Sequence, residues 1–205
     1  MGAADAVSLN EPVNIFDKAA FTSEVEKLGT PASKADTIAH RTKKTITEKM
    51  DEDPVFYRRF SQMLEDTIRA WRDRRLSDSE YLSQVTDIME SVRDRKDEGL
   101  PKELEGKEVA KAFYGIAQVE LDKSVKDEAI RKSLAAEVAL KVDEIILKHV
   151  KRDWTNDSDT IKKMENDIDD FLYDLRDAKD IAFSTDQMDQ IIAESIAVAK
   201  KRYAR

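Results

Sequence analysis

Apolar residues in this chain recur at spacings of three and four, and no stretch alternates cleanly at period two. That spacing places them on one side of an α-helix, whereas a half-buried strand needs strict alternation. After Asp53 the stripe reads Phe56, Phe60, Met63, Leu64, Thr67, Ile68 and Trp71. After Ser77 it reads Tyr81, Leu82, Val85, Ile88, Met89 and Val92, and after Ser184 it reads Met188, Ile191, Ile192, Ser195, Ile196 and Ala199. Between 156 and 178 it is Ile161, Met164, Ile168, Phe171, Leu172 and Leu175. Three of these stripes have a matching start signal. Ser77 with Glu80, and Ser184 with Gln187, form capping boxes; Leu76 with Tyr81, and Phe183 with Met188, sit at the staple positions. Asp53-Pro54 and, more weakly, Thr30-Pro31 pair an N-cap with proline at the first helical position.

Four further segments complete the set. Segment 125–150 is apolar on a wide face (Ile130, Leu134, Val138, Val142, Ile145, Ile146) and is expected to be the most buried helix. Segments 31–50 and 107–121 carry weaker stripes, and a short helix near 17–28 is expected to end with Gly29 as its C′ residue. Only five glycines and four prolines are present, too few turn residues for a sandwich or barrel. The expected fold is therefore all-α, an irregular bundle of about eight helices with no β-sheet. The plainest break is the loop from Asp97 to Gly106, read as a surface loop within one bundle, with a hinge between two helical halves as the alternative.

The same residues exclude most chemistry. With no cysteine there is no disulfide framework, thiolate metal site or cysteine nucleophile. The two histidines, His40 and His149, fit neither H-E-x-x-H nor Glu-x-x-His, since residue 37 is Thr and residue 146 is Ile. The glycines supply no phosphate-binding loop. The Asp153–Asp159 run is a poor calcium loop, because its sixth position is Ser158 and its twelfth Met164; helix-capping acids are the better reading. No catalytic residue, metal site or cofactor is expected, and neither is a small-molecule substrate. The apolar runs are too short to span a membrane, and no signal peptide follows Met1, so a cytoplasmic location is expected.

Two charge clusters remain. Residues 31–75 hold 11 Lys/Arg against 8 Asp/Glu, net +3 in a chain of net −8. Lys43, Lys44, Arg58, Arg59, Arg69 and Arg72 are the candidate nucleic-acid contacts, with a face that is merely solvated as the alternative. On the helix at 156–178, Asp167, Asp170, Asp174 and Asp177 share one side. Like charges at this spacing are destabilising unless compensated, so the face is either solvated or a docking surface. Tyr173 and Trp154 are the candidate aromatic anchors beside it. Phe171 belongs to the apolar stripe, and Trp154 has a second reading, packing over the end of helix 125–150.

The run Thr45–Ser61 (TITEKMDEDPVFYRRFS) is similar to the C-terminal region of type I restriction enzyme R subunits, the HsdR family. Tyr81-Leu82 with Met89–Arg93, Ala110–Gly115 and Asn166–Leu175 fit the same region in the same order, and Val13–Asp17 resembles the family's exit from its motor domains. The similarity runs over residues 13–203. It implies a parent subunit with a nuclease and two RecA-like ATPase domains, all outside this chain. Residues 1–16 would then be a leader from the motor, with Met1-Gly2 an artificial start, and 17–205 the C-terminal helical domain, with a sub-division near 97–106. The resemblance implies a non-catalytic role in phage defence: assembly with the methyltransferase (modification) and specificity subunits, with DNA contact as a second role. A free-standing helical adaptor is the alternative, separated by whether motor sequence lies upstream in frame and methyltransferase genes nearby.

Overall fold

The computed structural model describes residues 13–97 and 99–204. The expectations that rest on Met1-Gly2, on the rest of the leader up to residue 12 and on Glu98 lie outside them. Eight α-helices occur among the described residues, and no strand does: α1 (Lys18–Glu26), α2 (Pro31–Lys49), α3 (Pro54–Arg72), α4 (Asp78–Arg93), α5 (Glu108–Asp122), α6 (Glu128–His149), α7 (Ser158–Lys179) and α8 (Thr185–Arg202). Three 3-10 turns, Met50–Glu52, Lys102–Leu104 and Trp154–Asn156, join them. The all-α expectation holds.

The starts are where the side chains put them. Ser77 and Ser184 each accept from the backbone N–H three residues on, and Glu80 and Gln187 each reach back to the cap's own N–H. Asp53 accepts from the Phe56 N–H at 3.1 Å, and Thr30 from the Ser33 N–H at 3.1 Å. Asp157 caps α7 by accepting from Asp159 and Thr160, so the calcium-like run is a helix cap. One terminus differs from expectation. Helix α1 closes at Lys27 in the right-handed region, with the Leu28 N–H on the Val25 carbonyl, and Gly29 does not take the left-handed C′ role.

The contacts group the chain into two compact units whose boundaries fall inside α2, inside α3 and after Lys96. Residues up to Thr45 and Ser61–Lys96 form one; Ile46–Phe60 and Asp97–Arg205 form the other. In the first unit, Ala35, Ile38 and Ala39 of α2, Leu64 of α3, and Tyr81, Val85, Ile88 and Val92 of α4 are buried. The Trp71 and Tyr81 rings stack at 4.6 Å, Trp71 donates to Asp78 at 2.8 Å, and the Tyr81 hydroxyl donates to Asp36 at 3.2 Å. Burial, and then the Asp36 charge, pushes the Tyr81 phenol up to about 12.

The second unit is organised on α5, which packs against both α6 and α8, with α7 also against α6 and α8. Eight of the fifteen residues of α5 are buried, against eight of the twenty-two of α6. The expectation that 125–150 would be the most buried helix is thus corrected in favour of α5. Ile130 is 55% exposed and Met63 45% exposed, so each sits at the margin of a stripe and not in a core. Small residues let α5 be approached closely: a Cβ at Gly115 would lie 3.1 Å from the Val55 Cβ. Gly115→Leu should therefore overpack this contact and lower unfolding stability by ~1–3 kcal/mol, read as a fall in the urea midpoint.

Candidate functional site

The indole of Trp154 is completely buried, and its N–H donates to the Tyr203 carbonyl at 3.0 Å. The Tyr203 hydroxyl in turn donates to Asp143 of α6 at 2.5 Å. Burial, followed by the bond to Asp143, raises the Tyr203 phenol well above its ordinary range. Trp154 thus fastens the turn before α7 to the last turn of α8 and to α6. A side chain with no exposed surface cannot anchor a partner, so Trp154 is a core residue and is withdrawn from the docking candidates.

The acidic face of α7 divides by what its members touch. Asp167 lies 2.7 Å from the His149 Nε2 and 3.3 Å from the Lys148 Nζ, both at the end of α6. The His149 hydrogen bond, against a smaller opposing effect of burial, holds the Asp167 carboxyl below the usual carboxylate range. Asp167 is therefore a clasp between α6 and α7 and is corrected from a free docking residue to a structural one. Asp177 pairs with Arg176 at 2.9 Å, and the Arg176 guanidinium lies 4.4 Å from the centre of the Tyr173 ring. Asp170 and Asp174 have no ion-pair partner among the described residues. Tyr173, 37% exposed, lies between them in sequence and about 60° round the helix from Asp170. Crowding of acids is felt nearby: burial, then the Asp170 and Asp189 charges, raises the Asp169 carboxyl.

The six basic candidates also separate. Lys43, Arg69 and Arg72 line one groove of about 330 Å3 in the first unit, together with Glu65, Ile68 and Asp73. Lys43 is 3.7 Å from Glu65 and Arg69 is 3.8 Å from Asp66, long exposed pairs of little strength. Lys44 is exposed on α2 outside that groove. Arg59 is already engaged, 2.9 Å from Asp97 and 4.8 Å from the centre of the Phe60 ring, and serves the second unit's packing. Arg58 is exposed and belongs to the second unit, in a groove with Lys200 and Lys201, which the stripe reading passed over. Those two lysines follow the apolar stripe of α8 and look, in sequence, like ordinary cations of a last helical turn. No group of three or more His, Cys, Asp or Glu suited to a metal ion occurs among the described residues, and no helix there is long and apolar enough to cross a membrane.

Two measurements check these assignments. Trp154→Ala should cost ~3–5 kcal/mol of stability, the range for a truncated core aromatic. Tyr173→Ala should cost under about 1 kcal/mol, because its ring is part exposed and loses only a surface cation–π contact. Comparable losses in chemical denaturation would reverse the division between core and surface. A depressed carboxylate contributes stability above its unfolded pKa and loses it as pH falls through the folded value. Asp167→Asn should therefore lower stability at neutral pH and flatten the decline below about pH 5. An unchanged acid limb would show that the clasp is energetically idle.

No curated protein and no solved structure matches the chain. One family model does, over residues 5–202: type I restriction enzyme HindI endonuclease subunit-like, C-terminal. With that match spanning nearly all of an all-helical chain, the protein belongs to the family formed by the C-terminal region of type I restriction enzyme HindI endonuclease subunit-like proteins.

Proposed function

We propose that this chain is the attachment module of a type I restriction motor subunit, holding it to the methyltransferase and specificity subunits without taking part in catalysis. The observation that carries the reading is the exposed Asp170, Tyr173 and Asp174 of α7. Two acids with no ion-pair partner among the described residues lie beside a partly exposed aromatic ring. Leaving like charges uncompensated at i, i+4 is a standing cost to the helix. A basic patch on a partner removes that cost, and a tyrosine steadied by Arg176 supplies the aromatic anchor such interfaces favour. The cytoplasm is the expected setting, since the partners act on DNA there. No phosphate loop or nuclease constellation appears in the sequence, which supports assigning ATP turnover and cleavage to other parts of the subunit.

DNA contact is the second element of the proposal, supported by the groove that gathers Lys43, Arg69 and Arg72. Contacts from exposed cations to phosphates position a protein without reading sequence. A free-standing adaptor accounts for the acidic face equally well but gives no reason for the family membership.

In the full motor subunit, combining Asp170→Lys, Tyr173→Ala and Asp174→Lys should weaken association with the methyltransferase core by at least about tenfold, or about 1.4 kcal/mol. Circular dichroism and basal ATPase should stay unchanged. Deleting residues 31–205 should abolish the association. Undiminished assembly of the deleted subunit in analytical ultracentrifugation would refute the attachment role.

A further inference from the structure

Two grooves in the second unit run into one another along α8. The first, about 460 Å3, is walled by Asp51, Pro54 and Arg58 on one side and Glu194, Lys200 and Lys201 on the other. The second, about 670 Å3, continues from the same Arg58 and Glu194 past Lys123 to Ser184 at the start of α8. Together they follow a helix of 18 residues, which at 1.5 Å per residue is ~27 Å long.

The charges of this trough are unevenly engaged. Lys123 is neutralised by Glu120 at 2.6 Å. Arg202, in the same last turn of α8 as Lys200 and Lys201, is drawn to Glu52 at 3.0 Å. Arg59, next to Arg58, is held by Asp97 at 2.9 Å. Arg58, Lys200 and Lys201 have no acid within ion-pair distance among the described residues, although the groove they line also contains Asp51 and Glu194. The carbonyl end of α8 is a sufficient reason for a lysine in its last turn. It gives none for Arg58, which sits near the start of α3, where the helix field disfavours a cation.

We propose that this trough is a binding surface for the phosphodiester backbone of duplex DNA, with Arg58, Lys200 and Lys201 as its phosphate contacts. The inference rests on the reading that the module meets DNA, and adds to it a second surface built by residues far apart in the chain. Three unneutralised cations converging from two helices on an open groove are the chemistry that phosphates release counterions to. The choice of duplex over single strand follows from the lining. No aromatic ring faces either groove, so unstacked bases have no platform, and a strand would gain nothing there beyond its charge. Asp51 and Glu194 line the first groove and Asp186 the second, and these acids keep the local field modest, so binding is sequence-independent, weak and lost quickly with salt.

The test uses the 205-residue chain, a short labelled duplex, the matching single strand and a salt titration. Arg58→Gln with Lys200→Gln and Lys201→Gln is compared with Lys43→Gln, Arg69→Gln and Arg72→Gln, and each is checked for unchanged circular dichroism. The double variant Lys200→Gln with Lys201→Gln covers any folding defect from Arg58. Loss of the trough cations should reduce the log–log salt slope by about 0.9 per phosphate contact removed. Duplex should bind at least as well as single strand. Duplex binding by the wild type that is unchanged in the trough variants, but lost in the Lys43 set, would overturn this proposal and leave the DNA reading intact. Preference for single strand would overturn it as well, and no duplex binding by the wild type would remove both.

Discussion

More than half of the residues of helix α5 are buried, and the second unit is arranged to cover them. Its buried residues include Ala110, Ala112, Phe113, Ile116, Ala117 and Leu121, which point around about half of the helix circumference. A helix apolar over so much of its surface must be wrapped by others. Helix α6 and helix α8 do this, and Val55 at the start of α3 closes on Gly115. Once α8 is fixed against α5, its last turn delivers the Tyr203 carbonyl to Trp154, and through Trp154 the start of α7 is placed. The face of α7 that bears Asp170, Tyr173 and Asp174 is thus outward because its other face is committed to this packing.

Much of the fold was legible in the sequence, because helix starts are local chemistry. Ser77 with Glu80 and Ser184 with Gln187 specify their helices within four residues, and both boxes form. Burial was less legible. Segment 107–121 looked weak because much of its buried face is alanine (Ala110, Ala112, Ala117), which carries little apolar weight in a stripe. Ile130 misled for the opposite reason: it sits at the first turn of α6, where the stripe is present but the core has ended. Trp154 lay outside every stripe, and the partner of its indole N–H is Tyr203, far away in the chain.

The candidate sites divided along the same line. The acidic side of α7 was readable from spacing alone, but not which acids had partners, since His149 and Lys148 reach Asp167 from another helix. The basic run at 31–75 looked like one surface and is two, with Arg59 absorbed into packing. Lys200 and Lys201 joined Arg58 only once α8 was laid beside α3.

The interleaving of the two units carries a consequence for how such a chain can be divided. Residues 46–60 belong with 97–205, although the most open loop in the sequence lies at 97–106. A protease or a cloning boundary at that loop therefore yields no autonomous half. The front piece retains Val55, exposed where Gly115 had been, while the back piece keeps α5 with one wall missing. Recombination between related subunits meets the same obstacle. An exchange at the loop transplants a core without its own lid, because any crossover between Val55 and Gly115 parts the two residues whose fit closes α5.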